Sequence, residues 1–123
     1  MVPVIGSFAT SGKYAMKASD IMAKMGTKYT KSSLVNGRKM HKMYKSSEEV
    51  EKIRIKELRI SKGSRADFVD FNSRSIFELK PFNPRGVKSR IKQFDRYGQE
   101  MMIKYGGEWN LFLDLYCISK VYV

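Results

Sequence analysis

At 123 residues, 42% of them hydrophobic and 12% aromatic, the chain is long enough for one globular domain with a real core and too short for two. No run approaches the roughly 20 uninterrupted apolar residues of a membrane span, and the single cysteine, Cys117, excludes both an intramolecular disulfide and a cysteine-rich zinc site. The 24 Lys and Arg against 12 Asp and Glu leave a net charge of +12, a self-repelling excess whose natural partner is a polyanion, nucleic acid first and an acidic protein second.

The opening MVPVIGSFATSG is small and Gly-containing, lacks the basic start and long apolar centre of a signal peptide, and reads as a linker entering a domain. Tyr14, Ala18, Ile21, Met22 and Met25 then recur at helical spacing, which predicts an amphipathic helix over 10–25 with Thr10 or Ser11 as N-cap and Gly26 as stop. From residue 1 to 47 one acid, Asp20, stands against nine bases. Residues 1–45 are therefore read as a basic linker and helical segment ahead of a core over 46–123, the whole forming a single compact domain. The only histidine, His41, lies in a basic helical context without a second His or Cys. That setting argues against a ligand or general-base role and leaves carboxylates, lysines and a hard metal as the available chemistry.

Ser46-Ser47-Glu48-Glu49 has the form of a capping box and predicts the start of a short helix. Ile53 and Ile55 alternate, then Leu58 and Ile60 after a slip near Glu57, so a strand with a bulge is expected. After the turn at Lys62-Gly63-Ser64, the segments Phe68–Phe71 and Ser75–Leu79 flank Asn72-Ser73-Arg74 as a β-hairpin, which Pro81 ends. Asn83-Pro84 opens a long helix whose stripe is Val87, Ile91, Phe94, Met101 and Tyr105, with a bend expected at Gly98 and a stop at Gly106-Gly107. Alternation over 109–116 predicts a last strand. The order helix, three strands, helix, strand describes an α/β domain with a small mixed sheet of about four strands flanked by helices.

Three charged residues on the hairpin carry the chemistry. Residues two apart on a strand share a face, so Glu78 and Lys80 point together, and pairing across the turn brings Asp67 or Asp70 alongside. Two carboxylates and a backbone carbonyl make an oxygen-rich pocket suited to Mg2+ or Mn2+, and a lysine beside such an ion can orient an attacking water or stabilise charge on a phosphorane. On the following helix Gly86, Arg90, Gln93 and Tyr97 fall on one flank at about 100° per residue, and Arg85, Lys88, Lys92 and Arg96 on the other. The first flank suits the metal pocket and the second suits phosphates.

Arg65-Ala66-Asp67-Phe68-Val69-Asp70, then Ile76-Phe77-Glu78-Leu79-Lys80-Pro81, resembles the PD-(D/E)xK nuclease superfamily, the restriction-endonuclease-like fold, and within it the C-terminal toxin domains of bacterial polymorphic toxins. Asn83-Pro84-Arg85-Gly86 with Gln93 and Arg96-Tyr97 extends the likeness, which covers about residues 46–118. Ala66 stands where the name-giving proline would, at a position that carries no ligand in the family.

The resemblance implies an αβββαβ core, with Asp67, Glu78 and the carbonyl of Leu79 as metal ligands and Lys80 as catalytic lysine. It implies further that Gln93 supports the site and that a glutamate of the first core helix, Glu49 or Glu48, assists. Asp70 remains the alternative to Asp67. Arg85, Lys88, Lys92, Arg96 and Tyr97 are the expected nucleic-acid contacts. The implied activity is Mg2+- or Mn2+-dependent cleavage of phosphodiester bonds, DNA before RNA. The implied setting is an interbacterial toxin delivered as part of a larger protein, acting in the target-cell cytoplasm and blocked by an acidic immunity protein. A transfer-RNA ribonuclease on the same scaffold, and a non-catalytic nucleic-acid-binding module, are the rival readings.

Overall fold

The computed structural model describes residues 4–12, 15–25, 34–82 and 87–116. The elements are β1 (Val4–Ala9), α1 (Ala18–Met25), α2 (Leu34–Met43), a 3-10 turn (Ser46–Glu48), β2 (Arg54–Ser61), β3 (Ser64–Asp70), β4 (Ser75–Pro81), α3 (Val87–Tyr105) and β5 (Asn110–Tyr116). The five strands form one mixed sheet in the order β1-β5-β4-β3-β2. Neighbours run antiparallel except β4 and β5, which are parallel because α3 carries the chain back across the sheet between them. The α/β class with a mixed, helix-flanked sheet is the expected one.

Several local expectations are corrected. The opening segment read as a linker supplies β1, which pairs with β5 from Val4↔Tyr116 to Ala9↔Phe112, so the sheet has five strands. Its small residues are a packing requirement: a Cβ on Gly6 would stand 2.5 Å from the Phe8 ring and 3.2 Å from the Met25 sulfur. The first helix begins at Ala18 instead of near residue 10, and a second, α2, follows it where only a basic flank was foreseen. At Ser46 no capping box forms, because the Ser46 hydroxyl donates back to the Met43 carbonyl at 3.2 Å and the chain makes a single 3-10 turn. Glu57 has a left-handed φ of 53° inside β2, but the pairing with β3 keeps its register across that residue and shifts only between Arg59 and Ser61, so the expected slip lies further along the strand. Gly98 does not interrupt α3; the absence of a side chain there seats the helix against Leu111, whose methyl would lie 3.3 Å from a Cβ.

Helices α1 and α3 cover one face of the sheet. Phe94 and Met101 of α3 pack on Val69, Ile76, Leu111 and Trp109, while Val87, Ile21 and Met25 gather with Phe8, Phe82, Leu113 and Leu115. Helix α2 covers the other face, where Tyr44, just beyond its end, packs with Phe68, Leu79 and Tyr116 against Met40. Burying Tyr44 puts its hydroxyl in the interior, and it donates to the equally buried Asp114 carboxylate at 2.5 Å, which also accepts from the Ser7 hydroxyl. One carboxylate thus ties α2, β5 and β1 together.

Candidate active site

The β3–β4 ladder runs Asp70↔Ser75, Val69↔Ile76, Phe68↔Phe77. One step further, Asp67 faces Glu78, and there side chains replace the backbone ladder. The Asp67 amide donates to Glu78 Oε1 at 2.8 Å, and the Leu79 amide donates to Asp67 Oδ2 at 2.7 Å. Each acid is therefore anchored by the other's strand, and both carboxylates are held at the open end of the hairpin. Two residues on from Glu78, Lys80 shares its face, with Nζ 3.7 Å from Glu78 Oε2. Leu79 points its side chain to the opposite face, where it is fully buried.

Glu78 is itself buried, and its carboxyl is pushed up to about 7, first by loss of solvent and then by the Asp67 charge, against the pull of Lys80, the Asp67 amide and His41. Packing of α3 over this face adds a cleft lined by Glu78, Lys80, Arg90, Gln93, Phe94, Tyr97 and Leu113. Its volume, about 10 Å3, is room for a single water. Burial and the nearby acids raise the Tyr97 hydroxyl above its ordinary value, so it stays a neutral donor.

The structure brings Asp67, Glu78, Lys80, Gln93 and Tyr97 together, and it adds Arg90 from the same flank of α3. Asp70 is elsewhere: at the closed end of the hairpin its Oδ2 lies 3.4 Å from Arg54 Nε and its Oδ1 accepts the Asn72 amide at 2.9 Å. Glu49 is exposed beyond the 3-10 turn, and Glu48 pairs with Lys45 at 3.7 Å. Neither is drawn toward Glu78, because the segment expected to be a core helix makes only one turn. Lys88 and Lys92 are exposed and line, with Lys17, Met22 and Ile91, a groove between α1 and α3 separate from the cleft. Arg96 is exposed. Arg85 lies outside the described residues.

Sequence reasoning set aside one residue that the fold places here. The imidazole of His41, on α2, has Nε2 3.3 Å from Asp67 Oδ2 and Nδ1 2.9 Å from the Gly37 carbonyl. The hydrogen bond to Asp67 is the main cause of its raised pKa, offset in part by burial. Its partner is distant in sequence, and a lone histidine among lysines gives no spacing to read.

A divalent cation fits this donor set. Two carboxylates on adjacent strands press on each other's charge, and Mg2+-type ions commonly take one or two carboxylates with waters and substrate oxygens completing the shell. Among the described residues no three His, Cys, Asp or Glu side chains form a cage on their own, so such an ion would be held by an open site. Also among the described residues, no helix is long and apolar enough to cross a membrane.

In comparisons with known proteins, neither a curated protein nor a solved structure matches the chain. A family profile does: Restriction endonuclease fold toxin 9 matches residues 29–116, from ahead of α2 to the end of β5, which takes in the sheet strands bearing Asp67, Glu78 and Lys80. With most of its length inside that match and a mixed sheet flanked by helices as its fold, the chain belongs to the restriction endonuclease fold toxin family.

Proposed function

We propose that this domain is a divalent-metal-dependent endonuclease that cuts DNA as the toxic module of an interbacterial toxin. The observation that carries the reading is the exchange of amide bonds between Asp67 and Glu78 at the open end of the hairpin, with Lys80 beside them and Gln93 and Tyr97 closing the cleft. Asp67, Glu78 and the Leu79 carbonyl are the groups to hold the metal, Mg2+ or Mn2+. When bound, the ion supplies positive charge at the scissile phosphate and acidifies a water. Lys80 orients that water and stabilises the developing negative charge, and Gln93 holds the site from α3. Arg90 and Tyr97 contact the phosphate nearest the cleft, while Lys88, Lys92, Arg96 and Arg85 neutralise phosphates further along the strand.

Purified protein incubated with plasmid and with total RNA, in Mg2+ with and without EDTA, tests this. Cleavage of plasmid that EDTA abolishes is expected; cleavage of RNA alone would replace DNA with an RNA substrate, and metal-independent cleavage would remove the assignment of Asp67 and Glu78. A free nuclease is lethal to its producer, so an acidic immunity protein is expected to neutralise the domain in trans, steered by the +12 charge. The wild-type domain expressed alone in bacteria should degrade the host DNA and stop growth. Harmless expression with intact DNA would sink the toxin role.

A further inference from the structure

We propose that the groove between α1 and α3 is the docking site for an acidic amphipathic helix of a protein partner, and that docking there excludes DNA without covering the catalytic carboxylates. The second half of this statement rests on the nuclease reading above. The groove holds about 390 Å3, far more than the roughly 30 Å3 of one water and within the range of pockets that take a ligand. It shares no lining residue with the cleft at Glu78 and Lys80.

Two chemistries meet in it. The floor is Ala18 and Met22, four apart on α1, and Ile91 of α3, all half-buried and packed against the cluster that holds Ile21 and Val87. The rims are Lys17 on one side and Lys88 and Lys92, four apart, on the other. All three lysines are exposed, and none has an ion-pair partner among the described residues. Phosphates would satisfy the rims and leave the apolar floor wet. A helix laid between α1 and α3 satisfies both, with its apolar stripe on the floor and Glu or Asp on each flank over the lysines. It would also shield α1, whose eight residues are too few for a helix to stand without tertiary support. A second copy of this chain is a poor occupant, because two +12 surfaces repel, whereas an acidic protein is drawn in. Lys88 and Lys92 are phosphate contacts in the reading above, so an occupied groove takes them from DNA and sets negative charge beside its path. Asp67, Glu78 and Lys80 stay open to solvent and to small substrates.

The probe is a fluorescein-labelled synthetic peptide of about five helical turns, about 18 residues, with Leu on one face and Glu on both flanks. In anisotropy against the full chain, a peptide of the same composition scrambled to destroy the stripe should bind at least about tenfold more weakly. Ile91→Asp, and the exposed pair Lys88→Glu with Lys92→Glu, should each weaken binding by about tenfold or more. Arg38→Gln with Lys42→Gln, exposed cations of α2 outside the groove, should leave it within about twofold. Circular dichroism establishes folding, and the exposed lysine pair decides if Ile91→Asp does not fold. In Mg2+, saturating peptide should lower plasmid cleavage by about tenfold while hydrolysis of bis-p-nitrophenyl phosphate stays within about twofold. Equal binding of the scrambled peptide would reduce the groove to an unspecific cationic surface. Full binding by the lysine-pair variant would place the peptide elsewhere, and no binding at all would remove the site; each of these overturns the proposal, as does equal loss of both activities, which would put the occupant over the cleft. Wild-type protein that hydrolyses neither substrate would remove the nuclease reading and the exclusion of DNA with it, while anisotropy still decides the docking site.

Discussion

Strand β3 carries an aspartate near each end of its pairing with β4, and the two are treated in opposite ways. At the closed end Asp70 sits within the ladder, opposite Ser75, accepts the Asn72 amide of the turn and faces the Arg54 guanidinium. Its charge is matched and its bonds shape the turn. At the open end Asp67 and Glu78 crowd two carboxylates where the ladder stops, with Glu78 buried and raised to about 7. One acid builds the fold; the other two are held by the fold at the expense of its stability, as expected for groups that await a cation.

Activity separates the ends most widely. Asp67→Asn, Glu78→Gln and Lys80→Met should each lower DNA cleavage by about 10²–10⁴-fold, as loss of a group that binds the ion or stabilises transition-state charge does. Asp70→Asn should stay within about threefold. An inactive Asp70→Asn beside an active Asp67→Asn would reverse the assignment of the two ends.

Stability without metal should run the other way. Because the native carboxyl of Glu78 titrates near 7, above its ordinary 4.5, the cost of ionising it is absent below about 4.5 and complete above about 7. Metal-free protein should therefore lose stability as pH rises through that window. Glu78→Gln should be more stable than wild type by about 1–3 kcal/mol at pH 8 and equal to it at pH 4, as denaturation in EDTA would show. A wild-type advantage at pH 8 would mean that Glu78 is a structural acid like Asp70.

A smaller loss is expected at the closed end. Asp70→Ala removes one turn bond and a half-exposed ion pair, for about 0.5–1.5 kcal/mol, and this should show as a lower midpoint in urea with unchanged slope. The smallest effect belongs to the exposed flank of α3. Replacing Lys88 and Lys92 by Gln should flatten the slope of log affinity against log salt by about 1–2 without changing the metal requirement, measured by DNA binding at several salt concentrations. An unaltered slope would place the phosphates away from the α1–α3 groove.

The hairpin and α3 were legible in the sequence because their signals are local. Asn72-Ser73-Arg74 marks the turn, alternation marks both strands, and the stripe from Val87 to Met101 marks the helix. The two-residue offset of Glu78 and Lys80 then places both on one face. Choosing between Asp67 and Asp70 needed the register, which turn composition alone leaves open; the ladder puts Asp67 opposite Glu78. What stayed hidden depends on distant partners. Strand β1 is small and Gly-containing, and it is a strand because β5 offers an edge and Phe8 and Met25 fill the space above Gly6. Helix α2 has a weak apolar stripe, and packing of Met40 and Tyr44 on the sheet supports it. His41 became visible only once that helix was seated.

The buried Asp114 also bears on the order in which the chain comes together. Its bond to Ser7 spans 107 residues and its bond to Tyr44 spans 70, whereas Asp67 and Glu78 are linked across 11. Closing short loops costs little entropy and closing long ones costs more, so the β2–β4 meander is expected to form early and the β1–β5 edge late. The two carboxylates would then meet well before α2 is locked over them. A nascent chain lacking β5 would hold the acids in place yet lack the Asp114 tether of the helix that bears His41, and the ribosome-bound fragment would be a poor nuclease until β5 emerged.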